Sequence, residues 1–224
     1  MAIGFKIHPR ARTVEPATVD KFKAIAVANI SDSMNRMGHG GPRLRPLHAG
    51  GVMAGVALTV RTRPGDNLMV HAALNRAKAG DVLVVDAGGD LTNAIVGELM
   101  LSHAQQVGVA GVVVNGAVRD YGWIRSGAFP VYAAGVTHRG PYKNGPGEVN
   151  ATIAIDGMVI EPGDLIVGDD DGFVCVPFDQ AEAVFAAADA KQQGEAKTMA
   201  AIQAGTVDRS WVERALAEAG CEGV

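Results

Sequence analysis

The sequence has few cysteines, few aromatic residues and no long apolar segment. Its 224 residues include only two cysteines, Cys175 and Cys221. Two cysteines this far apart indicate neither a zinc site nor a disulfide framework. No apolar run reaches the roughly 18 residues of a membrane-spanning helix, and residues 1–12 lack the continuous apolar core of a secretion signal. Cytoplasmic residence is therefore the default expectation.

Positive charge is not in excess either. Lysine and arginine total 20 residues and aspartate and glutamate total 24, which gives a formal net charge of −4. Nucleic acids and anionic membranes attract basic surfaces, so neither is expected as a partner. Glycine, by contrast, is abundant at 29 residues, which predicts many tight turns and close backbone approaches.

Several familiar catalytic motifs are also absent. The sequence contains no GxxxxGK[ST], HExxH, GxSxG or CxxC motif. The glycine-rich segment 38–41 lacks the spacing of a dinucleotide-binding loop and does not follow a strand. The acidic segment 168–172 resembles a metal loop but lacks the later glutamate of a calcium site. A turn between two strands is the preferred interpretation of that segment.

The order of apolar and polar segments predicts an α/β fold with a mixed sheet and a β-rich second half. Strands are predicted at 51–63, 81–86, 109–116 and 129–135, and helices at 18–37, 66–78, 93–107 and 118–126. Hairpin turns are predicted at Asp156-Gly157, Pro162-Gly163 and Asp171-Gly172. Asp179 and Ser210 are predicted to cap two final helices. One domain, 18–205, is expected between an N-terminal arm, 1–17, and a helical tail, 206–224.

The most informative segment is the adjacent pair Arg119 and Asp120, which directly follows an apolar strand. In open α/β sheets, ligands bind beyond the carboxyl ends of the strands. Arg119 can hold a carboxylate with two parallel hydrogen bonds, and Asp120 is an oxygen ligand suited to Mg²⁺ or Mn²⁺. Together they could bind a small 2-oxo acid. From the spacing alone, a surface ion pair after the strand is the favoured interpretation, since adjacent Arg and Asp residues are common.

A second candidate segment comprises Gly97, Glu98, Leu99 and Met100. It lies near the start of a predicted helix, after a glycine-rich loop. Backbone N–H groups and the helix dipole make such a position suitable for a small anion. The alternative is that Glu98 is an ordinary surface residue of the helix.

These two segments carry a family resemblance. Glu98, followed by twenty residues and then Arg119-Asp120, resembles the D/E-x20-R-D signature of the 4-hydroxy-4-methyl-2-oxoglutarate/4-carboxy-4-hydroxy-2-oxoadipate aldolases. Their superfamily also contains the regulator of ribonuclease activity A. Further segments match: 86–89 (DAGG), 97–99 (GEL), 108–111 (GVAG), 115–120 (NGAVRD), 145–150 (GPGEVN), 162–164 (PGD) and 168–172 (GDDDG). The resemblance covers roughly residues 20–205.

The resemblance implies an RraA-like swivelling β/β/α domain, assembled as a trimer or a dimer of trimers with sites between subunits. It implies a class II pyruvate aldolase that needs Mg²⁺ or Mn²⁺, with Asp120 as the metal ligand. Arg119 would bind the pyruvyl group and stabilise its enolate. Backbone amides of Gly97–Met100 would hold the pyruvate carboxylate. Glu98 would hold metal-bound water, and Glu195 would be supplied by the neighbouring subunit.

The expected reaction is retro-aldol cleavage of a 4-hydroxy-2-oxo acid to pyruvate, with oxaloacetate decarboxylation as a side activity. One departure from the family concerns Trp123, since many of these aldolases have an acidic residue there. The main alternative is a binding protein that inhibits a ribonuclease. His71 is expected to be structural, and His138 and Arg139 to lie in a solvated loop, with contact to a distal substrate carboxylate as the alternative.

Overall fold

The computed structural model describes residues 3–37 and 43–224, so the segment 38–41 lies outside the described residues. The strands are β1 Phe5–Ile7, β2 Arg45–Pro46, β3 Met53–Thr62, β4 Asp81–Asp86, β5 Ala94–Val96, β6 Gly111–Val118, β7 Val131–Val136, β8 Gly147–Val149, β9 Ile153–Ile155, β10 Met158–Ile160, β11 Leu165–Asp169 and β12 Gly172–Val176. The helices are α1 Pro16–Phe22, α2 Val27–Ser33, α3 Leu68–Leu74, α4 Glu98–Gln106, α5 Tyr121–Ser126, α6 Ala181–Gln203 and α7 Ser210–Glu218, with a 3-10 turn at Phe178–Gln180.

A mixed sheet forms the centre of the molecule. Its main path is β1-β8-β3-β4-β6-β7-β2, and β3, β4, β6 and β7 run parallel. β8 and β11 are antiparallel to β3, and β12 continues from β11. The short strand β5 pairs with the carboxyl end of β6. A hairpin of β9 and β10 forms a separate two-stranded sheet.

Both faces of the central strands are covered, which is typical of parallel strands with continuous apolar sequences. Leu83 and Val85 of β4 pack on one face, against α3, α4 and α5. Val82 and Val84 pack on the other, against the β9–β10 hairpin. A third apolar cluster joins β11, β12 and part of β3 to α1, α2 and α6. None of the helices in the described ranges is long and apolar enough to cross a membrane.

The structure confirms the four predicted strands as β3, β4, β6 and β7 and the hairpin turns at Asp156-Gly157 and Asp171-Gly172. The structure corrects several other predictions. Pro162-Gly163 is not a hairpin turn, because the two strands that it joins, β10 and β11, do not pair with each other. The predicted helix 18–37 is two helices, α1 and α2, separated by a turn. The predicted helix 66–78 is shorter, at α3.

The predicted helix 93–107 was wrong in its first turn. Ala94–Val96 is a strand, and α4 begins only at Glu98. Long-range pairing with β6 outweighs the helical spacing of the apolar residues in this segment. Leu101 and Ala104 are buried on α4 as expected.

The predicted helix caps were also wrong. Neither α6 nor α7 has a side-chain hydrogen bond from its N-cap residue, which is Gln180 in α6 and Arg209 in α7. The N–H of Ser210 instead donates to Asp208. Within the proposed arm, β1 pairs with β8, and within the proposed tail, α7 buries no residue. The division at residues 17 and 205 stays a prediction.

Candidate active site

Arg119 and Asp120 lie at the carboxyl end of β6, where the strand passes into α5. The N–H of Arg119 donates to the carbonyl of Val96, 3.0 Å away, which fixes this end of β6 beside β5. Asp120 has left-handed backbone angles of φ 59° and ψ 40°. Aspartate tolerates this region better than most residues. The bend directs Asp120 away from the axis of β6 and back toward the start of α4.

The carboxylate of Asp120 sits directly on the first residue of α4. The N–H of Glu98 donates to Oδ2 of Asp120 at 2.8 Å. Nε of Arg119 lies 3.7 Å from the same oxygen. A Cβ atom on Gly97 would lie 2.4 Å from Oδ2 of Asp120 and 2.7 Å from Cγ of Arg119. Only glycine at position 97 therefore leaves room for this arrangement.

A cavity of about 250 Å³ opens on one side of Arg119. Its lining comes from the start of α3, β5, the start of α4, the carboxyl end of β6 and the loop after β7: Asn67, His71, Ala94, Ile95, Val96, Gly97, Leu99, Met100, Arg119, Gly140, Pro141 and Lys143. No carboxylate is among these described residues, whereas Arg119 and Lys143 are both cationic. The cavity therefore favours an anionic ligand.

Asn67 is a buried polar residue in the wall of this cavity. The residue is only 2% exposed, and its Nδ2 donates to the carbonyl of Ile95 at 2.9 Å. Its Oδ1 is buried and has no partner in the described part of the chain. The hydrogen bond from Nδ2 holds the start of α3 beside β5, which shapes this wall of the cavity.

A second cavity, of about 290 Å³, lies on the other side of Arg119. Arg119, Asp120, Val136, Thr137 and His138 line it. His138 is exposed in a loop, as expected, and it also lines this cavity. Arg119 thus forms a boundary between two cavities and can reach a ligand in either of them.

Asp66 holds the cavity walls together, a role that sequence reasoning missed. Oδ1 of Asp66 accepts the N–H of Leu68 at the start of α3, and Oδ2 accepts the N–H groups of Asn144 and Gly145. Burial raises the pKa of Asp66, but these backbone N–H groups and Arg63 outweigh it, and the net shift is downward. The ionised carboxylate therefore fixes the Lys143 loop beside α3 at neutral pH.

Comparison with known proteins identifies the family. A family model described as RraA-like, Aldolase/RraA, matches residues 27–175. The chain belongs to this family. The predicted RraA-like α/β fold is thereby confirmed.

Named relatives of this RraA-like chain carry two kinds of description. A protein of Halalkalibacterium halodurans named "Putative 4-hydroxy-4-methyl-2-oxoglutarate aldolase" is 40% identical over 174 residues, which cover 78% of this chain and 83% of that protein. The structure of the RNA-processing inhibitor RraA from Thermus thermophilis superposes with a TM-score of 0.62 at 33% identity, covering 68% of this chain and 92% of that one. The structure of Streptomyces coelicolor RraAS2, described as an unusual member of the RNase ES inhibitor RraA protein family, superposes with a TM-score of 0.77 at 26% identity. The match covers 85% of this chain and 99% of that one.

The RraA-like chain brings most of its predicted site residues together. Gly97, the Glu98 N–H group, Arg119 and Asp120 are in mutual contact. Leu99 is 82% exposed, beside the cavity that it lines. The side chain of Glu98 is also exposed.

Glu195 is not part of that contact group. It lies on the exposed second half of α6, and its Oε1 pairs with Lys191 at 3.3 Å. Lys191 also pairs with Asp32. The expected contribution of Glu195 to a neighbouring subunit stays a prediction.

The donor set at Asp120 suits a weakly held metal ion. No group of three metal-binding side chains occurs in residues 3–37 and 43–224. Asp120 offers one carboxylate, and its side chain is 40% exposed. Mg²⁺ commonly binds through one or two carboxylates and retains several waters, so a single exposed aspartate fits such an ion. A closed zinc-type cage does not fit here.

Proposed function

We propose that this RraA-like protein is a divalent-metal-dependent lyase. It cleaves 4-hydroxy-2-oxo dicarboxylic or tricarboxylic acids to pyruvate and a second oxo acid. The observation that carries the proposal is the convergence of Asp120, Arg119 and the start of α4 beside a cationic cavity. The aldolase name of the relative from Halalkalibacterium halodurans supports the same reaction class.

The start of α4 provides donors for the pyruvyl carboxylate. The first N–H groups of a helix have no partner within the helix. The Glu98 N–H already donates to the carboxylate of Asp120, and the Leu101 N–H donates to the carbonyl of Gly97. The Leu99 and Met100 N–H groups therefore remain for an anion, which the helix dipole also favours.

Arg119 would act on the charge that develops during cleavage. Removal of the C4 hydroxyl proton breaks the C3–C4 bond, and the bonding electrons form the enolate of pyruvate. The guanidinium of Arg119 stabilises this enolate electrostatically. Glu98 and the neighbour's Glu195 are the carboxylates proposed to hold the water that accepts the proton. Protonation of the enolate at C3 then gives pyruvate.

Asp120 is the residue that would hold Mg²⁺ or Mn²⁺. Such an ion, when bound, polarises the 2-oxo group as a Lewis acid. Loss of CO₂ from oxaloacetate gives the same enolate, so decarboxylation of oxaloacetate is the expected side activity. No lysine needs to form a Schiff base in this scheme.

The charge of the cavity lining supports a substrate with a second acid group. Lys143 lines the same cavity as Arg119 and provides a second cation. This arrangement would distinguish 4-hydroxy-2-oxo dicarboxylates from acids with one carboxylate.

Metal removal tests the reaction class. Dialysis against EDTA should abolish pyruvate release from a panel of 4-hydroxy-2-oxo acids, and Mg²⁺ or Mn²⁺ should restore it, because Asp120 alone binds the ion weakly. Pyruvate is measured with a coupled dehydrogenase, and the metal content of each sample is verified. Full activity in a metal-free sample would contradict class II chemistry.

A ribonuclease-binding function is the second candidate, since the Thermus thermophilis RNA-processing inhibitor shares this fold at 33% identity. A binding protein of that kind needs a partner surface but no metal turnover. Oxaloacetate decarboxylation with and without EDTA separates the two. Absence of any metal-dependent decarboxylation would favour the binding function.

Subunit mixing tests whether Glu195 completes a neighbour's site in a trimer or hexamer. Asp120→Ala and Glu195→Ala should each be nearly inactive, yet the two refolded together should regain activity. Random assembly pairs an intact Asp120 with a neighbour's intact Glu195 in about a quarter of the sites of a cyclic oligomer. Pyruvate release by the refolded mixture, relative to the wild type, measures this fraction.

The control mixture combines Asp120→Ala with the double variant Asp120→Ala/Glu195→Ala, which cannot form an intact site. Mixed oligomers are verified by mass. Recovery no greater than in this control would exclude a shared site. Full activity of Glu195→Ala alone would exclude a catalytic role for Glu195.

A further inference from the structure

His71 occupies a place in the molecule that its sequence context did not indicate. It lies on α3, one helical turn after Asn67, and both side chains line the cavity beside Arg119. The expected structural role for His71 stays a prediction, and its position in the cavity wall allows a second role. Lys143 lines the same cavity from the loop after β7. His71 is thus a titratable group in a cavity whose described lining holds no acid.

The electrostatic surroundings of His71 favour its neutral form. Burial lowers the pKa of His71 below its usual value of 6.5, and the nearby charges of Lys143 and His103 lower it further. His103 is exposed on α4. At neutral pH, His71 of the free protein is therefore mostly in its neutral form.

The remaining charged groups on the strands packed against α3 are paired elsewhere. On β3 and β8, Arg61 pairs with Glu148. On β4, Asp81 pairs with Arg10 at 2.6 Å. Asp86, also on β4, accepts hydrogen bonds from the side chain of Asn115 and the N–H of Gly88. None of these groups lines the cavity, so an incoming anion is the group that can favour protonation of His71.

We propose that His71 is a specificity-determining residue, which in its protonated form strengthens the binding of substrates that carry a second carboxylate. The inference rests on the proposed function, since the same cavity holds the substrate there. A carboxylate beside Lys143 also lies in the cavity that His71 faces. Protonated His71 would add a charge-assisted hydrogen bond to that carboxylate. With neutral His71, Lys143 would be the only cation beside that carboxylate.

The sign of the pH dependence follows from linkage. A bound dianion favours charged His71, so binding raises the pKa of this histidine. Below the pKa of the free form, His71 is protonated in both states and binding is tightest. KM then rises with pH until it levels off above the pKa of the bound form. Each unit by which binding raises the pKa is worth tenfold in affinity, and a rise in KM of about tenfold is expected.

Substrate kinetics test this inference. As the pH rises from the pKa of His71 in the free protein to its pKa in the complex, the KM of a 4-hydroxy-2-oxo dicarboxylate should rise about tenfold. The KM of a 4-hydroxy-2-oxo acid with one carboxylate should not change with pH in this range. His71→Gln should abolish the rise and leave the high KM at every pH. His103→Gln is the matched control, because His103 does not line the cavity, and it should retain the rise. An unchanged profile in His71→Gln would overturn the inference.

A titration without turnover gives an independent reading. The imidazole C–H signal of His71, assigned by its absence in His71→Gln, is followed by NMR with 2-oxoglutarate or with pyruvate. 2-Oxoglutarate should raise the pKa of His71 by about one unit, and pyruvate should leave it nearly unchanged. Equal effects of the two acids, or none, would overturn the inference. If the wild type releases no pyruvate, the proposed lyase fails, while this titration still decides whether His71 senses a second carboxylate.

Discussion

Replacing Arg119 with lysine should lower kcat by about 10²-fold or more, in line with the loss of a donor to a developing oxyanion. Lysine keeps the positive charge but loses the planar, two-pronged guanidinium. Arg119 stands between two cavities with its Nε beside Asp120, a position that an ammonium group on a flexible chain cannot reproduce. Steady-state kinetics of pyruvate release would show kcat and kcat/KM falling together.

Arg125→Lys provides the matched control for this variant. Arg125 lies on α5 and stacks over Tyr121, 5.9 Å from the ring centre, outside both cavities. Its replacement should leave both kinetic constants nearly unchanged. If Arg119→Lys raised only KM, Arg119 would bind the substrate without stabilising the enolate.

Adding a single methyl group at Gly97 should abolish most activity while leaving the fold intact. A Cβ at this position would meet Oδ2 of Asp120 at 2.4 Å and the side chain of Arg119 at 2.7 Å. These atoms belong to side chains and not to the backbone, so a shift of the Asp120 and Arg119 side chains can relieve the contact. Because the moved groups are the proposed metal ligand and enolate-binding residue, Gly97→Ala should lower kcat/KM by about 10²-fold or more.

Gly122→Ala is the control for the added methyl group. Gly122 lies in α5, and a Cβ there would meet nothing within 4 Å. This variant should keep full activity, with an unfolding temperature equal to or above that of the wild type, since alanine favours helix. Activity and thermal unfolding are measured on both variants. Wild-type activity in Gly97→Ala would show that the contact of Asp120 with the start of α4 is not needed.

The parts of the fold that could be predicted are those in which the local sequence and the tertiary environment agree. β4 and β6 are nearly continuous apolar runs because both faces of these strands are covered. β5 could not be predicted, since it has three residues and exists only through its pairing with the end of β6. In that segment, the apolar spacing also fitted a helix. The break between α1 and α2 likewise left no clear signal.

The site residues also fall into two groups, those that the local sequence identifies and those that only the folded chain brings together. Arg119 and Asp120 could be identified because they follow an apolar strand, and Gly97 because it lies near the start of a helix. Asn67, His71 and Lys143 could not be placed, because they come from segments distant in sequence that meet only in the folded chain. Asp66, which holds two of these segments together, appeared in the sequence only as the start of a helix.

The origin of the cavity walls bears on how such a protein can diversify. The groups assigned to the pyruvyl carboxylate, the metal ion and the enolate all come from one continuous stretch, residues 94–120. The opposite wall comes from two other stretches, 67–71 and 140–143. Substitutions in these two stretches can therefore change which second acid group is accepted while the stretch that performs bond cleavage stays the same. On the proposed assignment, a new substrate range requires few replacements, and none of them needs to alter the reaction.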